Sequence, residues 1–297
     1  MIEIKNATKR FGALAAVDNL TLNIDQGIYG LVGQNGAGKS TLFRLISDVF
    51  TLTEGSINID SFPNDTKEAK ELVFFLSDDP FVEKNDNVRR MLDFYGNFYD
   101  IDKENFYRLI EKFGLPREGM ISKFSKGMKR QTFISLALSI NTKYLLLDEA
   151  FDGLDPIVLE SIKEELLKAK DQGKVIVASS HNINTLESLV DTFILITKGK
   201  LSNRETKERF GQNYIKYQAI FTKEVSEENF KNSEIKLVSL KKYGSIYNIV
   251  LLETENMEEK INAVCPTSLL ERVPIDSEEI VKLSMMVARK ESGNENE

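Results

Sequence analysis

Hydrophobic and polar residues along the first two thirds of the chain predict a sheet covered by helices. Alternating apolar positions at Ile2–Thr8 and at Leu20–Ile24 predict two strands that each bury one face. Three unbroken apolar runs are typical of fully buried parallel strands: Ile28–Val32, Tyr144–Leu147 and Val175–Ser179. A helical pattern that ends near Lys170 separates the last two runs. We therefore expect an α/β fold with a parallel sheet between helices.

Two further stretches repeat apolar residues at helical spacing. The first follows a glycine-rich segment after Val32, and its apolar face comprises Leu42, Phe43, Leu45, Ile46, Val49 and Phe50. The second stretch, between Asn87 and Gly119, is rich in phenylalanine and tyrosine. The chain is thus predicted to form a strand, a loop and a helix near residue 40, and a helical region further on.

The pattern changes after a hydrophilic run from Ser202 to Gln212. The elements predicted beyond it are a strand at 215–221, a short helix, a hairpin at 243–245, a helix at 258–264, a further strand and a last helix at 277–288 capped by Asp276. This order is typical of a small α+β domain, which we place at residues 213–290. We expect the polar tail at 291–297 to be disordered.

Composition limits the classes of partner. The formal net charge of −7 argues against a protein that holds nucleic acid by its overall field. Cys265 is the only cysteine and His181 the only histidine, so neither an internal disulfide nor a zinc site built from the two is expected. No apolar run is long enough to span a bilayer. We expect a cytoplasmic protein, which at a membrane must dock onto another subunit at the inner face.

The segment from Gly33 to Ser40, GQNGAGKS, fits the phosphate-binding loop pattern, and a predicted strand and helix flank it as that pattern requires. Glycines let the backbone curl so that N–H groups face the β- and γ-phosphates, and the helix N-terminus adds partial positive charge. Lys39 would neutralise phosphates, and the Ser40 hydroxyl would bind Mg²⁺. The loop predicts a bound nucleotide with Mg²⁺, and the predicted binding residues are Gly33, Gln34, Asn35, Gly36, Ala37, Gly38, Lys39, Ser40 and Thr41.

The apolar run Tyr144–Leu147 ends in two carboxylates, Asp148 and Glu149. In a protein with a phosphate-binding loop, a carboxylate at this strand end provides a second ligand for the metal that accompanies the nucleotide. Asp148 would hold Mg²⁺ through water, and Glu149 would be the base that takes a proton from the attacking water. Two acids alone would also fit a solvated turn or a helix cap, so the prediction depends on their combination with the loop.

Three further motifs have a fixed order around these carboxylates. Phe124-Ser125-Lys126-Gly127-Met128 lies upstream of them, Gly153-Leu154-Asp155-Pro156 lies downstream, and His181 follows the next predicted strand. From Met1 to Leu201, this order resembles the nucleotide-binding subunit of ABC transporters. We refer to residues 124–128 as the signature segment.

The resemblance implies a phosphate-loop ATPase domain over residues 1–205, with a helical subdomain at about residues 84–140. In that family, two cassettes enclose two ATP molecules head to tail. Ser125 and Gly127 are then expected to contact the γ-phosphate of the ATP held by the partner cassette. Asp155 is expected in the loop that signals between the two sites.

His181 and Phe11 match two more positions of the family. The resemblance implies that His181 holds the γ-phosphate and the attacking water. A lone histidine is more often structural, but the only imidazole of this chain falls at that position. Phe11 matches the aromatic residue that stacks on adenine, with core packing as the alternative.

The chain departs from the family pattern at three positions. Lys126 replaces the first glycine of the signature segment, and Met128 replaces its terminal glutamine. Asp78 replaces a glutamine that senses Mg²⁺ and the membrane subunit, and its carboxylate could still bind Mg²⁺. All three look like variants found in ATPase subunits of ABC-2-type exporters, whose permease is a separate chain.

Two surface features have alternative interpretations. The aromatic residues Phe94, Tyr95, Phe98 and Tyr99 fall where the family forms a groove for the permease, but core packing is the favoured role for most of them. The cationic run Lys123, Lys126, Lys129 and Arg130 could indicate an anionic partner, and a solvated helix start is the favoured interpretation.

The sequence thus predicts an ATP-hydrolysing subunit that powers a separate membrane permease of an ABC exporter, for peptides or toxic amphipathic compounds. It would work as a homodimer or heterodimer of cassettes, with the cargo handled by the permease. One alternative is a soluble ABC ATPase that acts on ribosomes or DNA. Another is a regulatory partner that binds ATP but hydrolyses it poorly, which the departures at Lys126, Met128 and Asp78 suggest.

Overall fold

The structure is a computed structural model of the chain and describes residues 1–83, 85–231, 233 and 235–291. It divides into two compact units, Met1–Arg204 and Glu205–Glu297. Of the predicted tail at 291–297, Glu291 is the last residue of a helix, and the rest lies outside the described residues. Within this described part, no helix combines the length and apolar character needed to cross a bilayer.

The strands that begin in the first unit are β1 (Ile2–Phe11), β2 (Leu14–Ile24), β3 (Ile28–Val32), β4 (Glu54–Ile59), β5 (Phe62–Pro63), β6 (Val73–Leu76), β7 (Tyr144–Leu147), β8 (Val175–Ser179), β9 (Thr192–Thr197) and β10 (Lys200–Thr206). The helices of this unit are α1 (Lys39–Ile46), α2 (Lys67–Leu72), α3 (Val88–Tyr95), α4 (Lys103–Lys112), α5 (Lys126–Ser139), α6 (Pro156–Asp171) and α7 (Ile183–Glu187). A turn of 3₁₀ helix covers Ile121–Lys123.

The central sheet confirms the predicted α/β class. Its strand order is β10-β9-β3-β8-β7-β6, and the strands from β9 to β6 are parallel. Strands β3, β7 and β8 have the predicted bounds and are buried at every position, which explains their unbroken apolar sequences. Because these strands are parallel, the loops that follow Val32, Leu147 and Ser179 meet at one edge of the sheet.

An antiparallel sheet of order β2-β1-β4-β5 completes the β structure of the first unit. Its β1–β2 hairpin extends beyond the predicted strands, because Phe11 still pairs with Leu14 across a turn at Gly12. The core of the unit joins residues of both sheets with the apolar face of α1, and Phe43, Tyr144 and Ile194 are fully buried in it.

The predicted helix after the glycine-rich loop is shorter than its apolar pattern suggests. Helix α1 ends at Ile46, so the expected positions of Val49 and Phe50 on the helix were wrong. The Ser47 hydroxyl donates a hydrogen bond to the Phe43 carbonyl, and Asp48 has a left-handed backbone with φ of 55°, which ends the helix. Val49 is consequently 58% exposed.

The aromatic-rich region is helical, as predicted, and its aromatic residues divide into two groups. Tyr95 and Tyr99 pack edge-to-face against Phe74, with ring centroids 5.9 Å and 5.3 Å away. Phe94 and Phe98 contact each other and are 58% and 65% exposed. Core packing therefore describes the two tyrosines, whereas the two phenylalanines form an apolar surface.

The second unit is a small α+β fold. Its elements are β11 (Tyr214–Phe221), α8 (Glu228–Lys231), β12 (Leu237–Tyr243), β13 (Ile246–Leu252), α9 (Met257–Val264), β14 (Thr267–Val273) and α10 (Ser277–Glu291). The antiparallel sheet has the order β12-β13-β11-β14, which with its βαββαβ sequence is the ferredoxin-like arrangement. Phe230 of α8 and Ile261 of α9 pack on one face of the sheet, and Leu283 of α10 packs with Val250 on the other. The backbone N–H of Glu279 donates to the Asp276 carboxylate at 2.7 Å, as a capping Asp276 predicts.

Candidate active site

The phosphate-binding loop connects the end of β3 to the start of α1, in the context that its sequence requires. Gly38 precedes the helix with a φ of 105°, and a Cβ atom at this position would lie 2.3 Å from the Ala16 carbonyl oxygen. Only glycine fits such a backbone beside such a neighbour. The positive end of the α1 dipole and its free N–H groups therefore face the same cavity as the loop.

Lys39 lies at the base of the loop with its side chain 6% exposed. Its ammonium group donates a hydrogen bond of 2.7 Å to the Gly33 carbonyl and a longer one of 3.4 Å to the Gln34 carbonyl. The same nitrogen is 3.8 Å from Oε1 of Glu149. A cation therefore lies between the loop and the carboxylate that the sequence identifies as the base.

Asp148 follows β7 and is fully buried. Its Oδ1 accepts a hydrogen bond of 2.7 Å from the Ser179 hydroxyl, whereas the buried Oδ2 has no hydrogen-bond partner among the described residues. A buried carboxylate oxygen without a donor is unfavourable unless a cation or water satisfies it. Carboxylate and hydroxyl oxygens are the ligands that Mg²⁺ prefers, so Asp148 and Ser40 fit the predicted metal.

Glu149 is held in a left-handed backbone conformation with φ of 47°. Its N–H donates to the Ser179 hydroxyl at 3.0 Å, and its carbonyl oxygen accepts a hydrogen bond from Nη1 of Arg130. Its carboxylate accepts a hydrogen bond of 3.0 Å from the backbone N–H of His181. Contacts from two segments, the end of β8 with the residues that follow it and helix α5, thus determine where the carboxylate points.

The ring of His181 lies close to two carboxylates. Its Nδ1 is 3.1 Å from Oε2 of Glu149 and 3.2 Å from Oδ2 of Asp152. Two acceptors on the same nitrogen require that Nδ1 carries a proton, which leaves Nε2 for a group in the cavity. The three side chains could also bring ligand atoms to one cation, since those atoms lie within 4.8 Å of one another.

A cavity of about 870 Å³, which we call the nucleotide cavity, brings together most of the predicted residues. The predicted residues that line it are Phe11, Asn35, Gly36, Ala37, Gly38, Lys39, Ser40, Thr41, Asp78, Glu149 and His181. Gly33, Gln34 and Asp148 lie outside this lining, although the carbonyls of the first two contact Lys39. The size and the polar lining suit a nucleotide.

Phe11 and Asp78 lie at the exposed rim of the cavity. Phe11 is 46% exposed and packs edge-to-face on Phe50 at 5.5 Å, so it has both a packed face and a face toward the cavity. The ammonium group of Lys9 lies 5.2 Å from the Phe11 ring centroid. Asp78 is exposed, and its carboxylate is 4.0 Å from the guanidinium of Arg44.

The residues predicted to act on a partner's nucleotide lie outside the cavity lining of their own chain. Ser125 is exposed and caps α5, accepting a hydrogen bond of 3.1 Å from the Met128 N–H. Asp155 is exposed and caps α6, accepting from the Ile157 N–H at 2.9 Å. Gly127 is half-buried, and a Cβ atom there would lie 3.3 Å from the Gly153 carbonyl oxygen. Their roles toward a partner remain predictions.

Sequence reasoning missed several residues of the cavity, namely Leu14, Ala15, Ala16, Arg130, Asp152 and Lys198. Lys126 also lines the cavity of its own chain. The solvated interpretation of the cationic run was wrong for Arg130, which is only 8% exposed. The run offered no sign of this, because Arg130 is buried by the contact of α5 with the Glu149 segment.

Comparisons with known proteins agree with this geometry. The family described as ABC transporter matches residues 17–152. The lantibiotic transport ATP-binding protein SrtF of Streptococcus pyogenes is 30% identical over 207 residues, covering 68% of this chain and 89% of that protein. The bacitracin transport ATP-binding protein BcrA of Bacillus licheniformis is 34% identical over 208 residues, 68% of each chain. A dimeric bacterial ABC transporter cassette has a TM-score of 0.60 at 25% identity, over 70% of this chain and 99% of that one.

Proposed function

The chain belongs to the ABC transporter family, and on that premise we propose that it binds and hydrolyses ATP to power a separate membrane permease. The observation that carries the proposal is the nucleotide cavity, where the glycine-rich loop and Lys39 face the Glu149–His181 pair. A loop alone would explain nucleotide binding. The carboxylate and imidazole beside it provide for hydrolysis.

ATP binds with its phosphates on the loop between Asn35 and Thr41, where the backbone N–H groups and Lys39 balance their charge. The adenine ring lies toward the rim at Phe11. The Ser40 hydroxyl, the Asp148 carboxylate through water and the Asp78 carboxylate would hold Mg²⁺. When bound, the ion neutralises charge on the β- and γ-phosphates.

Hydrolysis depends on the pair formed by Glu149 and His181. The Glu149 carboxylate accepts a proton from the attacking water as its oxygen bonds to the γ-phosphorus, and the bond from that phosphorus to the β–γ bridging oxygen breaks, so that ADP and inorganic phosphate leave. His181 presents Nε2 to the γ-phosphate, because its Nδ1 is occupied by the carboxylates of Glu149 and Asp152. The left-handed backbone of Glu149 orients its carboxylate, so the group that accepts the proton is positioned by its own backbone.

Two cassettes are proposed to close around two ATP molecules. Ser125 and Gly127 would meet the γ-phosphate held by the partner, and Asp155 would lie between the sites. The exposure of Ser125 and Asp155 on the monomer supports this role. The partner cassette is either a second copy of this chain or a related one.

The permease is proposed to dock beside the exposed phenylalanines of the helical region. A groove of about 820 Å³ is lined by Phe98 and Val49, both more than half exposed, together with Phe75 and Tyr99. Exposed apolar side chains around a groove are typical of an interaction site. This docking places the chain at the inner face of the cell membrane, and the permease handles the cargo.

The cargo is proposed to be a peptide antibiotic or another toxic amphipathic compound, moved outward. The names of two relatives, for lantibiotic transport and for bacitracin transport, support this class.

Affinity capture tests the proposal. The Glu149→Gln protein, which should hold ATP without turning it over, is used to capture partners from detergent-solubilised native membranes with and without Mg-ATP. We expect a multi-spanning protein in near-equal amount. The double variant Phe94→Gln, Phe98→Gln should bind ATP normally and lose this partner. Capture of ribosomes without a membrane protein would contradict the transport function and leave the ATP chemistry intact.

A further inference from the structure

The catalytic glutamate has a backbone conformation that its neighbours must maintain. At φ of 47°, Glu149 lies in the left-handed region, which a residue with a Cβ atom adopts only when surrounding contacts enforce it. This conformation sets the direction of the Cα–Cβ bond. It therefore determines whether the carboxylate reaches the His181 N–H at 3.0 Å and the Lys39 ammonium at 3.8 Å.

Two groups hold the backbone of Glu149 from outside its own turn. The Ser179 hydroxyl at the end of β8 accepts its N–H at 3.0 Å. On the other side, Nη1 of Arg130 donates to its carbonyl oxygen. The Asp152 N–H lies 3.4 Å from the same carbonyl oxygen, a long contact within the turn itself. Arg130 is therefore the principal donor to this carbonyl.

The Arg130 side chain is buried within the site. Its side chain is 8% exposed, and it lines the nucleotide cavity together with Lys39 and Glu149. Its Nε is buried and makes no hydrogen bond within the described part of the chain. A buried guanidinium that leaves a donor unsatisfied is costly, and such residues are retained where the remaining contacts serve a purpose.

We propose that Arg130 is a positioning residue for ATP hydrolysis, which holds the Glu149 carbonyl and so keeps the Glu149 carboxylate in reach of His181. The inference rests on the proposed ATPase function. Arg130 acts through Glu149 and need not touch the nucleotide. Since Arg130 belongs to α5, which begins at the signature segment, the position of that helix also sets the position of the base.

Substitution of Arg130 by methionine tests the proposal, because methionine fills a similar apolar volume without a donor. We expect kcat for ATP to fall by about 10²-fold, since small displacements of a reacting group have effects of that size, with KM within about 2-fold of the original value. Arg130→Lys retains a donor and should recover at least about 10-fold of that loss. Lys129→Met, at the neighbouring cation of α5, is the matched control and should leave kcat unchanged.

A double-mutant cycle separates positioning from a purely structural role. If Arg130 acts through the Glu149 carboxylate, then Arg130→Met should not further reduce the single-turnover rate of Glu149→Gln. An equal loss in both backgrounds would overturn the proposal, as would an unchanged kcat in Arg130→Met. If Arg130→Met fails to fold, the same cycle is made with Arg130→Lys. Absence of ATPase activity from the unmodified protein and its membrane partner would instead refute the proposed function.

Discussion

Replacing Glu165 with glutamine tests the ion-pair cluster that joins α4 to α6. The Glu165 side chain is 5% exposed and contacts Arg108 Nη2 at 2.5 Å, Lys112 Nζ at 2.8 Å and Lys168 Nζ at 2.9 Å. Burial by itself raises the pKa of Glu165, but hydrogen bonds from these three cations lower it from 4.5 to about 2. The folded protein thus favours the ionised carboxylate more strongly than the unfolded chain does.

The size of this preference follows from the two pKa values. A difference of about 2.5 units corresponds to about 3 kcal/mol of unfolding free energy. Arg108 and Lys168 are 49% and 61% exposed, so solvent screens part of the attraction. We therefore expect Glu165→Gln to lower the free energy of unfolding by about 1–2 kcal/mol at pH 7.

The pH dependence has a definite sign. Because the pKa of Glu165 is lowered by folding, its contribution is complete above the unfolded pKa of 4.5 and is lost as the pH falls toward the folded pKa of about 2. The stability difference between Glu165→Gln and the original protein should therefore shrink on acidification. At pH 3 it should be less than about half of its value at pH 7.

Urea unfolding followed by circular dichroism at both pH values measures this difference. Glu164→Gln is the matched control, since Glu164 is 65% exposed and contacts only Lys112 in this cluster, at 3.2 Å. Its effect should be small at either pH. An equal loss of stability in the two variants at pH 7 would refute the reasoning, and so would a deficit of Glu165→Gln that stays constant down to pH 3.

Three other outcomes are expected. Glu149→Gln should slow ATP turnover by about 10²-fold or more in a steady-state phosphate-release assay, yet retain ATP-dependent dimerisation in size-exclusion chromatography, because the base is lost and the phosphate contacts remain. Gly38→Ala should abolish binding of a fluorescent ATP analogue without unfolding the protein. At a φ of 105°, the added Cβ atom would lie 2.3 Å from the Ala16 carbonyl oxygen. Retained affinity would contradict the loop geometry. A chain ending after Thr206 should bind the same analogue with unchanged affinity, since the first unit has its own core; weaker binding would show that the second unit supports the site.

The buried strands were predictable because their signal is local. The apolar runs of β3, β7 and β8 predict strands with the observed bounds, and the loops after them contain the motif residues. Parallel pairing then brings Lys39, Asp148 and His181 to one edge of the sheet, a consequence of fold class alone. The phosphate-loop pattern and the resemblance to ABC transporter subunits identified most residues of the nucleotide cavity without coordinates.

Other features depend on contacts between distant segments, which periodicity does not describe. Arg130 shares a cationic run with the exposed Lys123 and Lys126, and only the packing of α5 on the Glu149 turn buries it. The Asp152 carboxylate, in the loop after β7, contacts the ring of His181, in the loop after β8. Val49 continues the apolar pattern of α1, yet the left-handed backbone at Asp48 ends the helix before it. In each case the tertiary environment overrides the local pattern.

Helix α6 connects the end of the Asp155 loop to the Glu165 cluster, and its rigidity sets a limit on motion. Glu165 lies ten residues beyond Asp155, which at the rise of an α-helix is about 15 Å along the axis. A tilt of about 10° around the Asp155 end would displace Glu165 by about 2.6 Å, more than a hydrogen bond tolerates. Any larger rotation of α6 must therefore either carry α4 with it as one rigid body or break the two ion pairs that join Glu165 to Arg108 and Lys112 of α4.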